Sequence, residues 1–231
     1  MQIAAGTSGF AYKEWKGTFY PEDLPSARML RFYADRFPTV EINHTFYRLP
    51  RAEVLAGWAK EVPPGFSFAL KAPRRITHVQ RLAGAEDLLQ AFERAAEALG
   101  TKRGPTLYQL PPYQRKDVPR LREFLALLPA AGRAAFEFRH ASWFDDEVYG
   151  LLRERGAALC VAQAEDFATP FVSTAAFGYL RLRCHDYSQD ALSAWAERLR
   201  GAAWSEAWVF FKHDDAGTAP RFATELARLV S

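Results

Sequence analysis

The segments Thr39-Val40-Glu41-Ile42-Asn43 and Phe136-Glu137-Phe138-Arg139-His140 each alternate apolar with polar or charged residues. A strand sends successive side chains to opposite faces, so Glu41 and Asn43 share one face, and Glu137 and Arg139 share another. Val40, Ile42, Phe136 and Phe138 then need an apolar layer behind them. If helices supply that layer, the charged faces point into a barrel, where charge is costly unless it is paired or used. Eight strands are predicted in all, near residues 2–6, 39–43, 66–71, 105–110, 133–139, 157–162, 178–183 and 206–212.

Helical patterns fall between most of these. Ser26 is a candidate N-cap for a helix over 26–33, and Asp117 and Asp145 cap two more. Over 86–99, Leu88, Leu89, Phe92, Ala95, Ala96 and Leu99 recur at helical spacing, with Gly100 as a stop. Further helices are predicted over 189–200 and 218–230. Strand alternating with helix predicts a parallel sheet, and eight strands in this length predict a closed (β/α)₈ barrel, a single domain over residues 1–231. The sixth helix is expected to be missing or reduced to a turn, because Gln163 to Phe177 holds Pro170 and no helical stripe. An open doubly wound sheet is the fallback, but no Gly-rich phosphate fingerprint follows an early strand.

Composition narrows the function classes only a little. At 49% hydrophobic and 25% charged, the 231 residues form an ordinary globular composition, and a net charge of +3 argues weakly against a dedicated non-specific DNA binder. Cys160 and Cys184 sit in strand-like runs and read as reduced thiols, and no Cys/His cluster suggests zinc. The chain enters a strand at once, without a basic leader or a long apolar run. That predicts no signal peptide and no membrane span, so a cytoplasmic protein is the expectation.

A run of motifs carries a resemblance. Gly6-Thr7-Ser8-Gly9-Phe10 with Tyr12 and Trp15, then Phe19-Tyr20-Pro21, opens it; Thr39 to Asn43 with Thr45-Phe46-Tyr47-Arg48-Leu49-Pro50 follows. Lys71-Ala72-Pro73, Ile76-Thr77-His78, Gln109-Leu110-Pro111-Pro112 and Glu137 to His140 with Ser142-Trp143 complete it. Across the whole chain this resembles the YecE-like family, catalogued as domain of unknown function 72. The resemblance implies a TIM-type barrel and brings no activity with it. Three places depart from the family pattern. Its His-Gly and Tyr-bearing loop after strand seven is the shorter Arg183-Cys184-His185-Asp186-Tyr187 here; its Asn-Asn-Asp is Lys212-His213-Asp214-Asp215; and its Asp after strand six is Gln163.

In a (β/α)₈ barrel the chemistry sits at the C-terminal strand ends. Parity there selects Glu41 and Asn43, Lys71, Gln109, Glu137 and Arg139, Gln163, and Arg181 and Arg183, while strand eight shows no alternation across Trp208 to Phe211. Cations outnumber carboxylates, which favours an anionic ligand. The alternative is a core network in which these charges only neutralise one another, with Lys71 bridged to Glu41 or Glu137. The Thr7-Ser8-Gly9 turn is a candidate phosphate cradle or an ordinary tight turn. Tyr12, Trp15, Phe46, Tyr47, Trp143, Phe144 and Tyr187 are either stacking surfaces for a sugar or base, or loop packing. A zinc or manganese cluster of His78, His140, Glu41, Glu137 and Asp214 is conceivable, as in endonuclease IV-like barrels, but Lys71, Arg139, Arg181 and Arg183 would repel the ion; no metal and no cofactor are expected. Lys71 could also serve as a Schiff-base amine.

Three readings stay open. One is an enzyme acting on a phosphorylated or other anionic small molecule, with Glu137 or Glu41 as general base, Lys71 beside them, and Arg139, Arg181 and Arg183 holding the anion. His140, Thr7, Ser8, Tyr12 and Trp143 join the candidate binding set. The second is a nucleic-acid-processing protein using the same mouth for a phosphodiester. The third is a non-catalytic binding module. Nothing in the residues indicates the oligomeric state.

Overall fold

All eight predicted strands form, and they close on themselves. The computed structural model describes residues 1–212 and 217–230. The parallel strands are β1 (Gln2–Ser8), β2 (Thr39–Ile42), β3 (Ser67–Lys71), β4 (Arg103–Gln109), β5 (Ala134–Glu137), β6 (Ala158–Ala164), β8 (Phe177–Leu182) and β9 (Glu206–Phe211). Between β6 and β8, a two-residue strand β7 (Phe167–Ala168) folds back antiparallel on β6. The order β5-β4-β3-β2-β1-β9-β8-β6 is shut by pairing of β5 with β6, which makes a TIM-type (β/α)₈ barrel.

The helical layer follows the apolar stripes. It comprises α1 (Met29–Ala34), α2 (His44–Tyr47), α3 (Ala52–Glu61), α4 (Glu86–Ala96), α5 (Val118–Leu127), α6 (Asp146–Arg155), α7 (Gln189–Arg200) and α8 (Thr218–Val230). Asp117 and Asp145 cap as expected, accepting from the backbone N–H groups of Arg120 and Val148 at 3.1 and 3.0 Å. Ser26 does not cap; it lies inside a 3₁₀ turn leading into α1 and makes no capping bond. The sixth helix is absent. In its place the Thr174 hydroxyl bonds the Leu159 N–H and the Ala157 carbonyl, and Phe171 packs against Trp204, so a loop seals that wall. No helix among the described residues is long and apolar enough to cross a membrane.

Inside, size is complementary across the barrel. Ala69, Ala135, Ala158, Cys160 and Ala162 line one side, and Phe177, Tyr179, Trp208 and Phe210 fill the space from the other. This resolves the last strand: Trp208 and Phe210 point in, while Val209 and Phe211 join the outer core. The tight β1–β2 approach depends on Gly6, since a Cβ there would collide with the carbonyl oxygen of Thr39. Gly6→Ala is therefore expected to cost roughly 1–3 kcal/mol in urea unfolding; an unchanged midpoint would show that the strands separate freely.

Candidate functional site

Above the apolar layer, residues from β2, β5 and β8 meet. Arg181 Nη2 donates to Glu41 Oε1 at 3.0 Å, and Arg181 Nη1 donates to Glu137 Oε2 at 2.6 Å. One guanidinium thus bridges two carboxylates from separate strands, and all three side chains are buried. Glu41 also accepts from Ser8 Oγ at 2.7 Å, Asn43 Nδ2 at 3.1 Å and Tyr179 OH at 2.6 Å. Glu137 accepts further from Arg183 Nη2 at 3.3 Å. Such saturation is what a buried carboxylate needs to stay ionised. Burial alone would raise both acids. Arg181, Tyr179 and Ser8 hold Glu41 below the usual carboxylate value, and Arg181 and Arg183 bring Glu137 down to about 2.

Lys71 escapes that pairing. Its Nζ donates to Gln109 Oε1 at 2.7 Å and sits 4.1 Å from the centre of the Phe46 ring, and among the described residues no carboxylate forms a salt bridge with it. Burial, then Arg181, lower its pKa to about 8, against the opposing pull of Glu41 and Glu137. Neither Lys71–Glu bridge anticipated from parity exists, because Arg181 occupies both acids.

A cavity of about 390 Å³ opens over this floor. Lys71, Arg139, Arg181, Arg183 and Lys212 line it, with Tyr12, Asn43, Tyr47 and Gln109; neither carboxylate reaches its surface. A larger cavity of about 580 Å³ lies at the start of α8 and contains none of these strand-end groups. Cationic side chains thus line the cavity, while the two carboxylates lie beneath it.

Several candidates sit elsewhere than parity placed them. Arg139 lies beyond the end of β5 and is exposed at the cavity rim; Glu137 pairs with Arg181 and Arg183 instead. Gln163 faces outward, accepting from Trp195 Nε1 of α7 at 3.0 Å, because β6 turns Cys160 and Ala162 inward and a one-residue step reverses the face. Thr7 also faces outward, bonded through Oγ1 to Tyr33 OH at 2.9 Å, because β1 continues through Ser8. The proposed phosphate cradle is spent internally: the Thr7 N–H binds Tyr33 OH, and the Gly9 N–H binds the Glu41 carbonyl. Trp143 is buried, stacked on Phe138 at 4.6 Å, and donates to the Gln114 carbonyl, so it packs a loop. His140 holds that loop through Ser142.

The loop aromatics divide. Trp15, Trp143 and Tyr187 are buried, whereas Tyr12 and Tyr47 line the cavity. Among the described residues no group of three or more His, Cys, Asp and Glu is placed to hold a metal ion, and Asp214 and His213 lie outside the described residues. The Cys184 N–H donates to Tyr187 OH, closing the shortened loop after β8. Parity reading missed Tyr179, although it lies two residues before Arg181 on the same face. It also missed Lys212, masked by the unbroken apolar run before it.

A family model described as a protein of unknown function, DUF72, matches residues 4–231. The UPF0759 protein YecE of Escherichia coli (strain K12) is 34% identical over 116 residues, 50% of this chain and 43% of that one. The UPF0759 protein YunF of Bacillus subtilis (strain 168) is 30% identical over 144 residues, 57% of this chain and 50% of that one. The chain thus spans about half the length of the curated relatives it matches. Among solved structures, a DUF72 family protein from Thermotoga maritima MSB8 superposes with a TM-score of 0.84 at 25% identity, covering 100% of this chain and 99% of that one. One from Enterococcus faecalis V583 gives a TM-score of 0.82 at 20% identity, over 99% and 95% of the two chains. With the family model spanning nearly every residue and the same barrel in its solved members, this chain belongs to the DUF72 family.

Proposed function

We propose that the protein binds an anionic small molecule, phosphorylated or sugar-like, at the C-terminal mouth of the barrel. The observation that carries this is the five-cation lining of the cavity, with both nearby carboxylates sealed below and engaged. Guanidinium and ammonium groups converging from separate strands favour phosphate or carboxylate oxygens. Tyr12 and Tyr47 offer flat faces for a sugar ring. Acid–base work would fall to Lys71, which lines the cavity and whose pKa burial brings down to about 8; Glu41 and Glu137 would set its field.

Calorimetric titration with inorganic phosphate and with glucose 6-phosphate tests the reading. Arg139→Gln together with Lys212→Gln removes two exposed rim charges, and binding is expected to weaken at least about tenfold with little change in melting temperature. Equal affinity in wild type and variant, or no binding in either, overturns the reading. Binding of oligonucleotides, steeply salt-dependent and stronger than that of the small anions, would favour the phosphodiester alternative.

A further inference from the structure

The lysine at the cavity floor is built differently from the charges around it. Several neighbouring elements contribute to its setting: Phe46 in α2, Gln109 on β4, Arg181 on β8, Lys212 after β9, His78 after β3, and the acids of β2 and β5. A lysine kept for structure would be expected to take one of the two carboxylates as its partner. Here Arg181 binds both, and Lys71 meets an aromatic face and a neutral amide oxygen. That arrangement fixes the amine without a salt bridge to a carboxylate, and Lys71 lines the ligand cavity.

We propose that Lys71 is a nucleophilic amine that condenses with the carbonyl group of a substrate whose anionic group is held by Arg139, Arg183 and Lys212. This rests on the anion-binding reading above and adds the functional group that reacts. The Nζ lone pair attacks the carbonyl carbon; a C–N bond forms while the C=O π pair moves to oxygen. Two protons of the original ammonium leave with that oxygen as water when the C–O bond breaks. The third stays on nitrogen, so the iminium carries the positive charge that the ammonium carried. Glu41 and Glu137, ionised below, favour that cation. Its lowered basicity, about 8, leaves a useful fraction of free amine at neutral pH, in contrast to an exposed lysine.

The chain has seven lysines, so reductive trapping can be mapped residue by residue. The probe is glyoxylate, an aldehyde carrying a carboxylate, with cyanoborohydride at pH 7, followed by peptide mass analysis. Lys71 is expected to be modified at least roughly tenfold faster than Lys13, Lys60 or Lys212, which are exposed. Inorganic phosphate should slow it. Lys71→Arg should remove the adduct at that position and leave the slower labelling of Lys13 and Lys60 as it was, since a guanidinium cannot form the iminium. Modification of Lys71 no faster than the exposed lysines, with phosphate still bound, overturns the nucleophile and leaves the anion site standing. Rapid Lys71 modification that phosphate does not slow, in a protein that calorimetry shows does not bind phosphate, overturns the anionic-substrate assignment and the reading beneath it.

Discussion

Arg181→Leu is expected to be the most damaging single change at the mouth, lowering the melting temperature by roughly 10 °C or more, or preventing folding. The guanidinium is the shared partner of Glu41 and Glu137, both fully buried. Removing one partner of a buried pair typically costs about 3–5 kcal/mol, because a charge is left without compensation. Here two charges lose it, and each kcal/mol shifts melting by about 2–4 °C in a domain of this size. Adding Glu41→Gln and Glu137→Gln to the same variant should recover much of the loss, since neutral amides no longer need the cation. Arg139→Met is the contrasting case. It has no ion-pair partner among the described residues, so its effect on stability should stay within about 0.5 kcal/mol. Thermal unfolding followed by circular dichroism separates the two, and an Arg181→Leu protein melting within a few degrees of wild type would mean the bridge contributes nothing.

The second large effect is on the pH dependence of stability, at both ends of the scale. Glu137 sits at about 2 in the folded protein against an ordinary 4.5, so as pH falls the unfolded chain takes up the proton first. Its contribution is complete above the ordinary value and is lost as pH drops toward about 2. At about 1.4 kcal/mol per unit this is of the order of 3 kcal/mol, and Glu41, lowered as well, adds in the same direction. Lys71 acts in the same direction at the other end of the scale. Lowered to about 8 from 10.5, it releases its proton in the folded state first as pH rises, so stability should increase with pH above about 8. Buried Cys160, raised well above its ordinary 9.0, and the buried tyrosines Tyr20, Tyr33, Tyr108 and Tyr179, raised above 10.0, pull the other way as pH rises, so the informative quantity is the difference between wild type and Lys71→Met from pH 8 to 10. Denaturant unfolding across that range should show wild type gaining stability relative to Lys71→Met as pH rises, and a slope shared by both proteins would mean that Lys71 does not titrate there.

Much of the barrel was legible without coordinates. Alternation through Val40, Glu41 and Ile42, and through Phe136, Glu137 and Phe138, assigns inner and outer faces, because pleating is a local property of the strand. Asp117, Asp145 and Gly156 mark helix ends for equally local reasons, and the lack of a helical stripe around Pro170 marks the missing sixth helix. Parity misplaced Gln163 because it depends on where a strand ends, and one residue reverses the face; Thr7, read as part of a turn, lies within β1 and faces outward. It was silent on the last strand because Trp208 to Phe211 are apolar on both sides. What only the tertiary structure decided is who partners whom. Arg181 lies 140 residues from Glu41 and 44 from Glu137, and closure of the sheet places it between them ahead of Lys71, Arg139 and Arg183. Local sequence specifies the charges that face inward; their pairing depends on distances across the barrel axis, which exist only once β5 meets β6.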